Sequence, residues 1–177
     1  MRRIYILLIM AVAMSLAASG QNAVGPLELQ FSVGATYPID SYPGNENLGP
    51  QLSLEGRYNF KKVPVDVGVE LYLGVALRDY KGDDQSNRIA SISVTSDYYF
   101  NRGAKVSQFA GLGLGIAQCE VVEGPYGVDG THFLFTPRVG VEMFHHLRLT
   151  LDARIAKKGY STIGLSIGYA LGGGLCK

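Results

Sequence analysis

His132, in the run Thr131-His132-Phe133-Leu134, is the residue of this chain closest to a recognisable hydrolytic pattern. A histidine can take a proton from a hydroxyl and return it to a leaving group if that hydroxyl and an orienting carboxylate lie within hydrogen-bond reach. Two residues on, on the same face of an extended run, stands Leu134, which has no hydroxyl. Glu142 follows in the same extended run, but ten residues of strand at a rise of ~3.3 Å place it about 33 Å away. Asp129 with His132 is an insufficient set. No catalytic residue is assigned, no enzyme is expected, and His132 reads as a rim residue.

Other chemistry-bearing groups fare no better. His145-His146 could share a metal, yet no third ligand is evident. Asp79, Asp83 and Asp84 could hold a divalent cation loosely, but Lys81 and Arg88 dilute the cluster. Neither a metal nor a cofactor is expected. The net charge is +1, and Arg2 and Arg3 leave with the first twenty residues, so the chain offers no electrostatic case for nucleic acid.

The charges that remain are distributed unusually. They sit on the polar faces of alternating apolar and polar segments, the pattern of half-buried strands. The apolar positions run Leu27 to Tyr37, Leu52 to Phe60, Val65 to Leu77, Ile92 to Phe100, Ala110 to Ile116, Phe133 to Met143, Leu147 to Ile155 and Ile163 to Leu171. Eight strands result, each near the ~9–11 residues that a tilted transmembrane strand needs. Their polar faces carry Glu28, Glu55, Asp66, Glu70, Asp97, Glu142 and Asp152 with Arg57, Arg78, Arg138, Arg148 and Arg154, and no lysine. Every lysine (Lys61, Lys62, Lys81, Lys105, Lys157, Lys158, Lys177) falls in a turn, a loop or the tail. Arginine suits enclosed, bidentate pairing with carboxylates, so the polar face is expected to be interior.

Register supports that reading. If Met143 pairs with Leu147, Arg138 faces Asp152 and Glu142 faces Arg148. If Phe60 pairs with Val65, Glu55 faces Glu70, a like-charge pair that needs an arginine such as Arg57 or Arg138. The expected interior network is Glu55, Arg57, Glu70, Arg138, Glu142, Arg148, Asp152 and Arg154.

The connections alternate. KKVP, NRG and FHH are tight turns, with Asn101-Arg102-Gly103 predicted as a three-residue hairpin loop. DSYPGNEN, DYKGDDQSN, CEVVEGPYGVDG and KKGYS are longer loops. Even-numbered strands run down to the tight turns and end in aromatics: Tyr58 and Phe60, Tyr98 and Phe100, Phe144, and Tyr169. Aromatics at headgroup depth form the girdles of membrane barrels. Residues 1–20, with MRRIY, an apolar run and Ala18-Ser19-Gly20, read as a secretory signal peptide, leaving 21–177 as one domain. Cys119 then belongs to the outer rim and Cys176 to the inner end, too far apart for a disulfide.

The architecture resembles the small eight-stranded outer-membrane β-barrels typified by the OmpA transmembrane domain and OmpX. Two features depart from their pattern: GGGLCK follows Tyr169 where a terminal aromatic is usual, and Pro137 interrupts strand six. The resemblance implies an all-β, antiparallel up-and-down transmembrane barrel in the outer membrane of a diderm bacterium. It implies a monomer whose partners are outer-membrane lipid, lipopolysaccharide and the outer-membrane assembly machinery, with no cofactor. Within that resemblance, lipid A deacylases use a His-x-Ser pair that this chain lacks at His132. The expected role is structural or surface-interacting, through outer loops of which the third, with Glu120, Glu123, Tyr126 and Asp129, is the longest. A narrow pore and a soluble lipocalin-like barrel with an apolar cavity are the alternatives.

Overall fold

A computed structural model describes residues 25–39, 45–80, 83–123, 126–157 and 160–172. The expected signal peptide lies outside these, as does Cys176. Within them the chain forms β1 (Leu27–Pro38), β2 (Asn45–Asn47), β3 (Gly49–Asn59), β4 (Val65–Tyr80), β5 (Asp83–Tyr99), β6 (Val106–Glu123), β7 (Tyr126–Met143), β8 (Leu147–Arg154) and β9 (Thr162–Leu171). β2 and β3 are two parts of one stave. Between them the register against β4 slips by one residue, from Asn47↔Leu77 to Gln51↔Gly74. β1 pairs with β9 and β4 with β5, so the sheet closes into an eight-stranded antiparallel barrel.

The structure decides which face points inward. Leu73 is 56 % exposed and Val94 57 %, whereas Arg57, Asp97 and Arg148 are each 1 % exposed. In a barrel, alternate residues point out and in, and here the aliphatic set points out. A lipocalin-like arrangement, with the Leu/Val face lining a cavity, is therefore excluded.

Three local expectations needed correction or refinement. Between β5 and β6, Phe100 N–H donates to Gln108 at 2.9 Å, so the connection is wider than a three-residue loop. Ser107 Oγ holds it by donating to the Asn101 carbonyl at 2.7 Å, and Gly103 takes the left-handed φ of 77° that such a turn requires. At Pro137 the β7–β8 ladder breaks after Arg138↔Asp152 and resumes at Phe135↔Ile155 in unchanged register. A residue without N–H interrupts a ladder without forcing a bulge.

The third correction concerns the long hairpins. β4, β5, β6 and β7 have 16, 17, 18 and 18 residues, against 8 for β8 and 10 for β9. Two expected loops, DYKGDDQSN and CEVVEGPYGVDG, are mostly strand. The charged and polar run of the first, and the adjacent Val121-Val122 with the Gly and Pro of the second, break strict alternation, so hydrophobic patterning could not reveal them. Glu120 and Glu123 lie in β6, and Tyr126 and Asp129 in β7; the side chains of the last three lie outside the described residues. The two hairpins form a wall standing about 20 Å beyond the short strands, at ~3.3 Å per residue. Along residues 126–134, β7 has no β8 partner among the described residues.

Candidate functional site in the barrel interior

Inward positions of six staves converge on a layer of charge in the half of the barrel nearer the tight turns. Asp97 of β5 is its hub. Arg138 of β7 grips it with two hydrogen bonds, Nε to Oδ1 at 2.7 Å and Nη2 to Oδ2 at 2.8 Å. Arg148 of β8 donates to Oδ2 as well. The same Arg138 Nη2 reaches Glu55 of β3 at 2.6 Å, and Thr95 Oγ1 donates to that carboxylate at 2.6 Å. The room at Asp97 comes from Gly111, where a Cβ would collide with Asp97 Oδ1. What the glycines of β6 leave open is thus filled by side chains from other staves.

Two further clusters flank the hub. Arg57 donates to Glu28 at 2.8 Å and to the Tyr99 hydroxyl at 3.1 Å, and that hydroxyl donates to Glu142 at 3.0 Å. Arg154 donates to both oxygens of Glu70 at 3.1 and 3.0 Å, lies 3.2 Å from Asp152, and stacks 3.4 Å over the Tyr72 ring. Arg148 lies 3.7 Å over Phe109. Planar guanidinium groups suit such combined stacking and forked hydrogen bonding.

All eight residues of the expected network point inward and are buried. The registers are also as expected: Arg138↔Asp152, Glu142↔Arg148 and Glu55↔Glu70. The side-chain partners differ. Arg138 and Arg148 pass over their cross-strand neighbours to meet Asp97, Glu142 meets Tyr99, and Asp152 meets Arg154. Arg138 supplies the charge that Glu55 needs, and Arg154 that for Glu70. The sequence reading left Asp97, Glu28, Asp66, Tyr99 and Phe109 out of the network. Parity alone would have placed all five on the inward face.

Above the charge layer the lumen turns apolar. Tyr72, Ile89, Ala117, Cys119 and Leu134 form a buried cluster, joined by Ala156 and Tyr160 from the β8–β9 connection. Cys119, toward the long-hairpin end, is 0 % exposed inside the barrel. His132 points inward too, with its ring 5.6 Å from that of Tyr160. These positions were missed because small and apolar inward residues look the same as outward ones.

At the tight-turn end, Tyr58 packs edge-on to Phe60 at 5.3 Å and Tyr98 to Phe100 at 5.4 Å, while Tyr169 stacks on His146. His145 and His146 are drawn apart: Nε2 of His145 lies 3.2 Å from the Gly103 carbonyl, and Nδ1 of His146 lies 3.0 Å from that of Ala170. Among the described residues, no group of three potential ligands is placed to hold a metal.

Arg102 closes this end. Although it lies in a turn, it is buried, and its Nη1 donates to the carbonyls of Phe60, Val63 and Val65 at 3.0, 2.9 and 3.2 Å. A charged donor bond is worth ~1.5–3 kcal/mol. Arg102→Ala is therefore expected to lower unfolding stability by about 2 kcal/mol, read from urea titration in lipid vesicles, with the β3–β4 turn exchanging amide hydrogens faster. Lys62→Ala, on an exposed side chain of the turn it clamps, should change neither.

Solved structures share this fold. Neisserial surface protein A matches with a TM-score of 0.62 at 13 % identity, over 84 % of this chain and 98 % of that one. The N-terminal β-barrel domain of OprF from Pseudomonas aeruginosa matches at 0.50 and 14 %, over 84 % and 99 %. The Yersinia pestis outer-membrane protein Ail, in a phospholipid bilayer nanodisc, matches at 0.50 and 15 %, over 81 % and 99 %. No curated protein matches by sequence. The family model for the outer membrane protein beta-barrel domain matches residues 5–170, and with the closed barrel and its outward aliphatic band it shows that the chain belongs to that family and resides in the outer membrane.

Proposed function

We propose that this outer-membrane barrel is closed to ions and serves as a rigid, monomeric mount for the two long hairpins, which present a contact surface outside the cell. The observation that carries the first half is the span of Arg138 from β7 to Asp97 on β5 and Glu55 on β3, straight across the lumen. The apolar cluster beneath Tyr160 adds a second obstruction. An eight-stranded barrel has an interior just wide enough for side chains to fill. In this reading the tight turns face the periplasm, and Tyr58, Phe60, Tyr98, Phe100 and Tyr169 sit at headgroup depth among the lipids. Assembly machinery is engaged only during insertion.

The second half rests on the wall formed by β4 to β7. A strand edge without a neighbour offers backbone donors and acceptors to a partner, and Glu120, Glu123, Tyr126 and Asp129 belong to the same hairpin. Catalysis is not assigned: Leu134, two residues on from His132, lacks the hydroxyl of the His-x-Ser pair that lipid A deacylases use, and the His132 ring lies tilted against that of Tyr160, 5.6 Å between centroids.

Conductance tests the closed state. The refolded barrel in a planar bilayer under molar potassium chloride is expected to show no discrete openings. Recurrent openings of uniform size would establish the narrow pore instead.

A further inference from the structure

Above the charge layer, two rows of inward residues cross the tall wall of the barrel. In the lower row Tyr72 faces Ser91, Ser91 faces Ala117, and Ala117 faces His132. In the upper row, nearer the long hairpins, Gly74, Ile89, Cys119 and Gly130 face one another in the same order. The two rings of the lower row lie back on the glycines of the upper one. A Cβ at Gly74 would collide with the Tyr72 ring, and a Cβ at Gly130 would stand 2.7 Å from His132 Nε2. The result is a recess with an aromatic ring on each flank and small or aliphatic residues between them.

Tyr160 enters this recess from the β8–β9 connection. Its ring lies 5.6 Å from that of His132, at 30° between planes. The walls are buried, with Ala117 and Cys119 at 0 % exposed, whereas Tyr160 keeps part of its surface open. Above the Pro137 break the top of β8 meets β7 only at the Phe135↔Ile155 bridge among the described residues, so moving Tyr160 aside parts no ladder. Below, Arg154 stacked on Tyr72 shuts the recess. Ser91 carries the second feature. It is 8 % exposed, and its hydroxyl has no hydrogen-bond partner. A hydroxyl buried in that way is unfavourable until something pairs with it.

We propose that the recess is a binding site for a small flat aromatic molecule bearing a hydroxyl, a phenol, and that Tyr160 occupies it as an internal stand-in. The guest ring takes the place of Tyr160 against His132, and its hydroxyl reaches Ser91 Oγ. A recess shut below admits a single ring and not a peptide chain. The site lies above the span of Arg138, so its occupation and the conductance of the barrel are separate measurements.

Fluorine NMR of the full chain in mild detergent, with 4-fluorophenol as probe, tests the proposal. A saturable shift distinguishes bound probe from probe dissolved in micelles, and one is expected with the unmodified chain. Tyr160→Gly should tighten binding at least about tenfold, because a site open ~10 % of the time or less loses that factor in apparent affinity. Ser91→Ala should weaken 4-fluorophenol about fivefold, the worth of one hydrogen bond, and leave 4-fluorotoluene unaffected. Ala117→Phe added to Tyr160→Gly should fill the vacated room and abolish binding. The gel shift on boiling reports folding, and Cys119→Phe is the second filling variant.

An absent saturable shift in both the unmodified chain and Tyr160→Gly would overturn the site. So would a bound signal that survives the filling variants, or an affinity that Tyr160→Gly leaves unchanged. Equal affinities for 4-fluorophenol and 4-fluorotoluene, insensitive to Ser91→Ala, would overturn the assignment to phenols.

Discussion

Replacing Asp97 with alanine is expected to destabilise the barrel by about 3–5 kcal/mol, the range seen when one partner of a buried ion pair is removed. Asp97 is the single carboxylate gripped by two arginines from neighbouring staves, Arg138 and Arg148. Its loss leaves both guanidinium groups enclosed, with Arg138 retaining only Glu55. Urea unfolding in short-chain phosphatidylcholine vesicles reads the change directly. Asp97→Asn, which keeps the shape and some of the hydrogen bonding, should fall between alanine and the native chain. If Asp97→Ala unfolds at the native midpoint, water in the lumen must be solvating the arginines, and the closed interior is the wrong description.

Arg154→Met should cost a similar amount, again about 3–5 kcal/mol, for the opposite reason. It leaves two carboxylates, Glu70 and Asp152, near one another without their shared cation, and takes away the plane stacked on Tyr72. The informative comparison is the triple variant Glu70→Gln, Asp152→Asn, Arg154→Met. Replacing all the partners of a buried ion cluster together is often close to neutral, so most of the lost stability should return. A triple variant as unstable as Arg154→Met alone would mean that the loss came from packing against Tyr72 and not from charge.

Much of this molecule is legible from period-two patterning, because a barrel with lipid outside and charge inside is the fold in which strict alternation has most to say. Strand count, the facing pairs around Met143 and Leu147, and the inward set of charges all follow from it. The absence of lysine from the strands points to enclosure before any coordinates are seen. The patterning fails in two places. Toward the ends of the long hairpins, as in DYKGDDQSN and CEVVEGPYGVDG, the apolar–polar alternation that marks a strand disappears from the sequence. Inside the outer half, Ile89, Cys119 and Leu134 are apolar on the inward face, so polarity no longer distinguishes in from out. Partner choice within the charge layer is a further limit. Arg138 and Arg148 have a carboxylate directly across the ladder, yet long side chains in a narrow lumen reach the far wall, and one-dimensional pairing rules do not include that reach. Arg102 escaped notice because turn arginines are ordinarily solvated.

The geometry of the charge layer bears on how the chain enters the membrane. Arg138 meets a carboxylate 83 residues away, Arg154 one 84 away, and Arg148 one 51 away. No single hairpin satisfies its own inward charges: β7 and β8 together carry three of these arginines, whose strongest partners lie on β3, β4 and β5. A β7–β8 hairpin inserted alone would carry three inward arginines against two carboxylates, Glu142 and Asp152, and so bring an unneutralised guanidinium group into hydrocarbon, where it costs several kcal/mol. Half-inserted, open-sheet intermediates are thereby disfavoured, and neutralisation arrives only when distant staves meet around a common centre. Insertion and closure are coupled into one cooperative step, and the contacts that fill the lumen also make the barrel form all at once or not at all.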